Sequence, residues 1–481
     1  MKHVLWAIVL PALVALAVLP HGISRNPYDY DESDYMYAAR LGAFANHTDT
    51  PTLPLAAFLR IGLSRGRDSR ARSGLSEQVR SAGDVVLYRH WHGPLYYYWL
   101  IALSRWKGDE HAMRVWMLML HALTFLAIYF GCLWVLPGQA GLWTARLSSL
   151  IYLFDYTNLK AASSISPHAL FVLCFVASLL AAAKTIETGK PRYWYGAVAL
   201  AGMAFCTLEV ALVLVAVLAL VCLVERRSVF AGWDAKNWIR FAGRSAAVFI
   251  GVVLLTWSGA VVRLSFLKAY FFMAYLAVFR RAPWGDIGFI ESWRLRFSSA
   301  PVQWILVAGS VFLWFALRRK EKFPRATYLF LLYGALMLLA VARVNSDSLR
   351  YMSPYFPAFE LFAGFVLARL LLRFRAPLRY TALCAIALLL AGYVSLQYRE
   401  HPARPNTQII AMLGYVRDHG LASKRMLVPQ RRLPVLHYYF PEARLQGYVD
   451  EVSAAEAAAG GQFDGILVLG REIWYNALGN P

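Results

Sequence analysis

AVALAGMAFCTLEVALVLVAVLALVCLV, residues 197–224, carries a single charged residue, Glu209. One helix crosses about 30 Å of hydrocarbon with roughly 20 residues, so this run is too long for one crossing. Its flanks decide how many it makes. Residues 184–192 and 225–244 are both basic, and short basic links gather on the cytoplasmic face of a membrane. The two links share that face only if an even number of crossings separates them. Two short helices turning near Glu209 meet the condition, and the remaining topology follows from this parity.

The composition around this stretch is that of a chain with the bilayer as solvent. Of 481 residues, 59% are hydrophobic and 16% charged, against roughly 25% charged in soluble domains. Apolar runs long enough to span lie at about 4–21, 111–135, 141–158, 167–183, 193–208, 209–224, 245–262, 301–317, 326–342, 353–371 and 379–397. Links 318–325 and 373–379 then join the first two basic links inside. Residues 23–110, 155–166, 263–300, 343–350 and the tail from 398 face outward. The expected fold class is an all-α polytopic membrane bundle of about eleven transmembrane helices. A large first outer loop and a small C-terminal α/β extramembranous domain complete it. The transmembrane domain is read as 1–397, with the outer loop at 23–110, and the tail domain as 398–481. Residues 1–22 have a basic start and no small-x-small cleavage site, which reads as an uncleaved first span.

The tail changes character. It has a capped helical stretch at 406–419 followed by Gly420, β-like runs at 425–428 and 465–469, and an alanine- and glutamate-rich helical stretch at 451–459. The formal net charge of +21 would suit a nucleic acid, but the basic residues sit mostly in short links between spans, so membrane orientation accounts for them and no nucleic-acid partner is expected. Cys132, Cys174, Cys206, Cys222 and Cys384 all lie in apolar segments without a CxxC pair. No structural disulfide or cysteine metal site is expected.

The largest polar interruption is the first outer loop. It opens with NPYDYDESDYMYAARLGAFANH, residues 26–47, which sets Asp29, Asp31, Glu32 and Asp34 among Tyr28, Tyr30, Tyr35 and Tyr37. Such acids suit a solvated loop or helix N-terminus, and interfacial tyrosines are ordinary. Beside a bilayer, a carboxylate can also take the proton of a hydroxyl or amine that attacks a lipid-borne substrate. Asp31 and Glu32 are the candidate pair. Neighbours on a helix point about 100° apart, so one can act as base while the other orients it or binds substrate.

Later in the loop, YRHWHGPLYYYWL places Arg89, His90 and His92 beside an aromatic run. His-Gly-Pro suits the start of an interfacial helix, and Arg and His at headgroup level suit a phosphate. A metal ion on His90 and His92 lacks a defined third ligand. The outward segment 263–300 breaks the positive-inside pattern with Arg263, Lys268, Arg280, Arg281, Arg294 and Arg296 against Asp286 and Glu291. That charge suits an anionic headgroup or a phosphate-bearing substrate. Finally, DSLRYMSPYFPAFELFAGF puts Arg350 and Tyr351 at the outer mouth of a span.

Together these elements resemble the C-type-fold membrane glycosyltransferases that use polyprenyl-phosphate sugars. The bacterial lipopolysaccharide-core glycosyltransferases, aminoarabinose transferases and protein O-mannosyltransferases are nearest in pattern. Asp31-Glu32-Ser33-Asp34-Tyr35 matches their Asp-Glu-x-x-Tyr element. His92-Gly93-Pro94-Leu95-Tyr96-Tyr97 is similar to their His-Pro-Pro-Leu-Tyr element, with Gly93 in place of the first proline. Arg350-Tyr351-Met352-Ser353-Pro354 is similar to their late Arg-Tyr-x-x-Pro element. Leu208-Glu209 stands where the pattern has Thr-Lys, and Pro167-His168 where some relatives carry an acid.

The resemblance implies an inverting transferase in the cytoplasmic (inner) membrane of a bacterium, acting in cell-envelope biogenesis on the outer face. It would move a sugar from a polyprenyl-phosphate donor to a hydroxyl or amine of a lipid, glycan or protein. Asp31 and Glu32 would be catalytic, with Asp31 deprotonating the acceptor. Asp34, Tyr35, Arg89, His92, Arg350 and Tyr351 would bind substrate, Arg89, His92 and Arg350 meeting the charge that grows on the departing phosphate. Donor, acceptor and bilayer are the partners. The sequence identifies no certain cofactor, and a divalent metal near Asp31, Asp34 and His92 is compatible with those residue types. Other readings stay open. A polysaccharide ligase or polymerase shares the donor chemistry, a lipid-linked sugar transporter would place ionisable groups within its spans, and a scaffold would use the tail to bind partners.

Overall fold

The computed structural model describes residues 22–41, 92–105, 109–227, 233–257, 289–342, 348–429, 432–448 and 463–467, with isolated positions outside them. The helices in chain order are α1 (Tyr30–Leu41), α2 (Leu95–Ser104), α3 (Glu110–Val135), α4 (Gly138–Leu153), α5 (Tyr156–Ala162), α6 (His168–Thr188), α7 (Pro191–Phe205) and α8 (Ala211–Val224). They continue as α9 (Ala235–Thr256), α10 (Phe289–Ser299), α11 (Pro301–Leu317), α12 (Thr327–Val341), α13 (Phe356–Leu371), α14 (Ala376–Glu400), α15 (Thr407–Asp418) and α16 (Leu433–Tyr439). Strands β1 (Arg425–Pro429), β2 (Arg444–Tyr448) and β3 (Gly465–Ile466) form a parallel sheet in the order β2-β1-β3. The chain divides into two compact units. One holds the described residues of Met1–Ile23, Arg114–Ser258 and Ile287–Ala403, and the other those of Ser24–Met113 and Arg404–Pro481.

The larger unit is a multi-pass membrane bundle. α3, α6, α9 and α14 are each long and apolar enough to cross a bilayer. Each expected span from residue 111 onward overlaps a helix, although 141–158 runs past the end of α4 into α5, residues 258–262 lie outside the described residues, and several helices of 14 to 17 residues reach only about 21–26 Å. The first expected span, 4–21, lies mostly outside the described residues. α7 and α8 are separated by a turn at 206–210 that contains Glu209, the division that charge parity requires. α10 and α11 meet at 86°. Pro301 explains the break, because it lacks an N–H and disfavours helical backbone in the residue before it; Ala300 stands at φ −140°, ψ 46°.

The basic links 184–192, 225–244 and 373–379 each reach the link 318–325 or the residue that follows it, Ala326. Glu187 accepts the Ala326 N–H at 2.8 Å, Glu225 accepts Arg325 at 2.5 Å and the Tyr328 hydroxyl at 2.9 Å, and Glu321 accepts Arg373 at 2.6 Å. Links 184–192, 225–244, 318–325 and 373–379 therefore share one end of the unit. Around the bundle, large apolar side chains such as Leu223, Leu255, Phe312 and Leu388 point outward, which costs free energy in water but not among acyl chains. Inside it, α4 and α13 approach backbone to backbone. A Cβ on Gly364 would stand 1.9 Å from the Ser148 Oγ, the small-residue packing that holds helices together where lipid removes the hydrophobic drive.

Residues 155–166, expected as an outer loop, contain α5. Asp155, 0% exposed, caps it. The Thr157 N–H donates to its Oδ1 at 2.8 Å, the Asn158 amide to its Oδ2 at 2.6 Å, and Gln303 of α11 to Oδ1 at 3.2 Å. Glu360 of α13, 2% exposed, is the neighbouring acid. Asp155→Ala removes a helix cap and leaves buried donors unsatisfied, so it is expected to cost about 3 kcal/mol of stability. The check is the midpoint of thermal unfolding in detergent; an unchanged midpoint contradicts this account of α5.

The smaller unit contains the tail. Asn406 caps α15 by accepting the Ile409 N–H at 3.3 Å, and Gly420 ends the segment in the left-handed region at φ 61°, a conformation that glycine adopts without strain. β1 lies centrally in the sheet, and its Met426 and Val428 pack with Ile409, Met412, Val435 and Leu436. α16 and β2 were not expected from sequence. The helical stretch expected at 451–459 falls mostly outside the described residues.

Candidate active site

α1 begins where its sequence favours a helix. The Asp29 carbonyl accepts the Glu32 N–H at 2.9 Å. Asp31 and Glu32 occupy the first turn and Arg40 the last, each at the end where the helix dipole favours its charge. Met36, Ala38 and Ala39 are buried, while Asp31, Glu32 and Asp34 are half-buried. Asp31, Asp34 and Tyr35 are three and four residues apart and so share one face. Glu32 points about 100° away from Asp31.

Tyr35 meets the second motif. Its hydroxyl lies 3.0 Å from His92 Nε2, across 57 positions of sequence. Its ring packs edge-on against Tyr96 and Tyr97 of α2, at centroid distances of 5.7 and 6.2 Å. Pro94 caps α2, where its missing N–H forfeits no helical bond. The structure thus joins the Asp-Glu-x-x-Tyr and His-x-Pro-Leu-Tyr elements through one hydrogen bond and a cluster of aromatic rings. Arg89 and His90 lie outside the described residues. Among the described residues, no group of three or more His, Cys, Asp and Glu side chains is gathered as for a metal ion.

Residues of the tail surround α1. Asp29 accepts Arg432 at 3.1 Å and the Asn406 amide at 3.2 Å. The Tyr28 N–H donates to the Tyr439 hydroxyl at 2.7 Å, and that hydroxyl donates to Glu110 at 2.7 Å. Burial first, and then the bond to Glu110, raise the Tyr439 pKa far above the usual phenol value, so this hydroxyl stays a donor. At the other end of α1, Arg40 donates to the Tyr438 carbonyl at 2.6 Å and lies 4.2 Å from its ring centroid. Sequence reading missed these tail partners, for none belongs to a motif.

In the larger unit, Arg350 and Tyr351 lie on the 3-10 turn Leu349–Met352. The Arg350 guanidinium carbon is 5.3 Å from the Tyr351 ring centroid. The Tyr351 ring stands edge-on to His168 at 5.8 Å, and His168 Nδ1 is 2.7 Å from the Ser166 Oγ. Of the basic segment 263–300, Arg296 is buried against Trp293 and donates to the Val344 carbonyl, while Arg294 is exposed and 3.7 Å from Glu291. Arg263, Lys268, Arg280 and Arg281 lie outside the described residues. Two residues absent from the sequence-derived set stand out in this unit: His168, and Glu360 beside Asp155. A lone acid inside a span was the signal for Glu360.

The chain has the fold of the C-type membrane glycosyltransferases. Solved structures that carry it include ArnT from Cupriavidus metallidurans in the apo state, with a TM-score of 0.60 and 13% identity over 95% of this chain and 88% of that one. ArnT bound to undecaprenyl phosphate gives 0.57 and 15% over 97% and 89%. The apo oligosaccharyltransferase of Archaeoglobus fulgidus gives 0.57 and 12% over 95% and 69%. No protein-family model and no curated protein matches the sequence.

Proposed function

We propose that the chain is an inverting glycosyltransferase that moves a sugar from a polyprenyl-phosphate donor to a hydroxyl or amine on the outer face of the bacterial inner membrane. The observation that carries this reading is the Asp31-Glu32 pair at the start of a helix whose Tyr35 is bonded to His92. The fold supports it, since ArnT, which shares that fold, has been solved with undecaprenyl phosphate. Asp31 takes the acceptor proton as the acceptor oxygen or nitrogen attacks the anomeric carbon. The bond from that carbon to the phosphate oxygen breaks in the same displacement, which inverts configuration. Phosphate leaves readily, so no general acid is needed. Glu32 orients the base or binds substrate, Asp34, Tyr35 and Tyr351 contribute to substrate binding, and Arg89, His92 and Arg350 offset the charge on the departing phosphate.

A lipid, glycan or protein acceptor fits this chemistry equally, and a polysaccharide ligase or polymerase differs from it only in the acceptor. Asp31, Asp34 and His92 are not gathered as a divalent ion would need, and the Tyr35 hydroxyl already engages one His92 nitrogen, so no step is assigned to a metal. The test is the full chain in proteoliposomes with undecaprenyl-phosphate-linked aminoarabinose or mannose and a cell-envelope extract that supplies lipid, glycan and protein acceptors. Release of undecaprenyl phosphate together with an inverted glycoside is expected. Passage of the intact lipid-linked sugar across the bilayer would instead make the chain a transporter.

A further inference from the structure

The tail is the part of the chain that the proposed chemistry leaves without a task. We infer that Arg432 is a positioning residue: acting through Asp29 it fixes the start of α1, and so the Asp31-Glu32 pair, an inference that rests on Asp31 being the base. The Arg432 side chain is 9% exposed and the Asp29 carboxylate 42%. An ion pair between two exposed side chains contributes little, but here the cation is buried in the tail and offers a charge-assisted bond from a fixed point. One guanidinium nitrogen donates to Asp29 at 3.1 Å and the other to Gln408 at 3.3 Å, while the Asn406 amide takes the second Asp29 oxygen at 3.2 Å. Both oxygens of Asp29 are therefore engaged by tail donors, two residues before Asp31.

The same device recurs along α1. The Asn406 N–H donates to the Asn26 side chain at 3.0 Å, so the segment leading into α1 is tied to the start of α15. Tyr439 holds the Tyr28 N–H, and Arg40 is bonded to the Tyr438 carbonyl at the far end. α16, only 7 residues long, and the arginine just before it thus grip both ends of the acidic helix. Its place is set by the tail core, where Val435 and Leu436 pack against Ile409 and Met412. A misplacement of about 1 Å in a catalytic group costs on the order of a hundredfold in rate, which is what such a grip prevents.

The experiment follows undecaprenyl phosphate release by the full chain in proteoliposomes supplied with the same envelope extract as acceptor, from whichever of undecaprenyl-phosphate mannose or aminoarabinose it turns over. In parallel, hydrogen exchange is measured over residues 30–41. Arg432→Gln and Asp29→Asn are each expected to lower kcat by roughly 10- to 100-fold with the donor KM held within about threefold. The double variant should fall no further than the worse single one, because both remove one interaction. Arg432→Lys should regain part of the rate, Glu442→Gln on the tail surface should change nothing, and exchange over 30–41 should quicken in Arg432→Gln. Unchanged kcat in the single variants, multiplying losses in the double, or unaltered exchange would overturn the inference. If Asp31→Asn retains turnover, the base assignment fails separately, and exchange still decides whether Arg432 holds α1.

Discussion

Asp31→Asn is expected to reduce kcat for sugar transfer by about a thousandfold, within the range that a general base contributes. The amide matches the carboxylate in size and can still accept a hydrogen bond at the start of α1, so the helix and the level of protein in the membrane should persist. What it loses is the capacity to take a proton. Because phosphate departs without help from an acid, deprotonation of the acceptor is the step that the protein must supply, and the donor KM should stay within about twofold when only that step is impaired. Glu32→Gln should cost less, roughly tenfold, since orienting a base contributes less than being one. Initial rates of undecaprenyl phosphate release check both. A scaffold would show no dependence on Asp31, and turnover unchanged in Asp31→Asn removes the catalytic assignment.

The second large effect is expected at Arg350. Removing a donor that meets charge developing in the transition state costs about a hundred- to a thousandfold, so Arg350→Ala should lower kcat/KM by that order. It should also weaken equilibrium binding of undecaprenyl phosphate to the full chain. Arg350→Lys should restore only part of either quantity, because an ammonium is a point charge and cannot form the two parallel bonds of a guanidinium with phosphate. Tyr351→Phe keeps the ring that meets His168 at 5.8 Å and removes only the hydroxyl, so it should lower both quantities by no more than roughly fivefold. Equal affinity for undecaprenyl phosphate in Arg350→Ala and the parent would remove Arg350 from the phosphate site.

The bundle is legible in sequence because its determinants are local. An apolar run, the basic links on either side and the lone Glu209 are all read within a few dozen residues, and the turn between α7 and α8 lies where they put it. α15 is legible for a similar reason, since Asn406 and Gly420 are caps that act on their own helix. α16 is not. LPVLHYY is too short for a helical period, and its helix depends on packing Val435 and Leu436 into a core built by other elements. The candidate site divides in the same way. Asp31, Glu32, His92 and Arg350 stand in recognisable short motifs. The bond from Tyr35 to His92 spans 57 positions, that from Gln303 to Asp155 spans 148 and that from Arg432 to Asp29 spans 403. No local pattern encodes contacts between residues so far apart.

The central claim is that this chain consumes a polyprenyl-phosphate sugar by means of the acid pair on α1. Mass spectrometry of lipid-linked sugars and envelope glycans tests it most directly, in cells carrying either the parent chain or Asp31→Asn at equal membrane levels. The account predicts that one polyprenyl-phosphate sugar accumulates in the Asp31→Asn cells while one envelope glycan, lipid or protein loses the matching sugar. Identical pools in the two strains would contradict it.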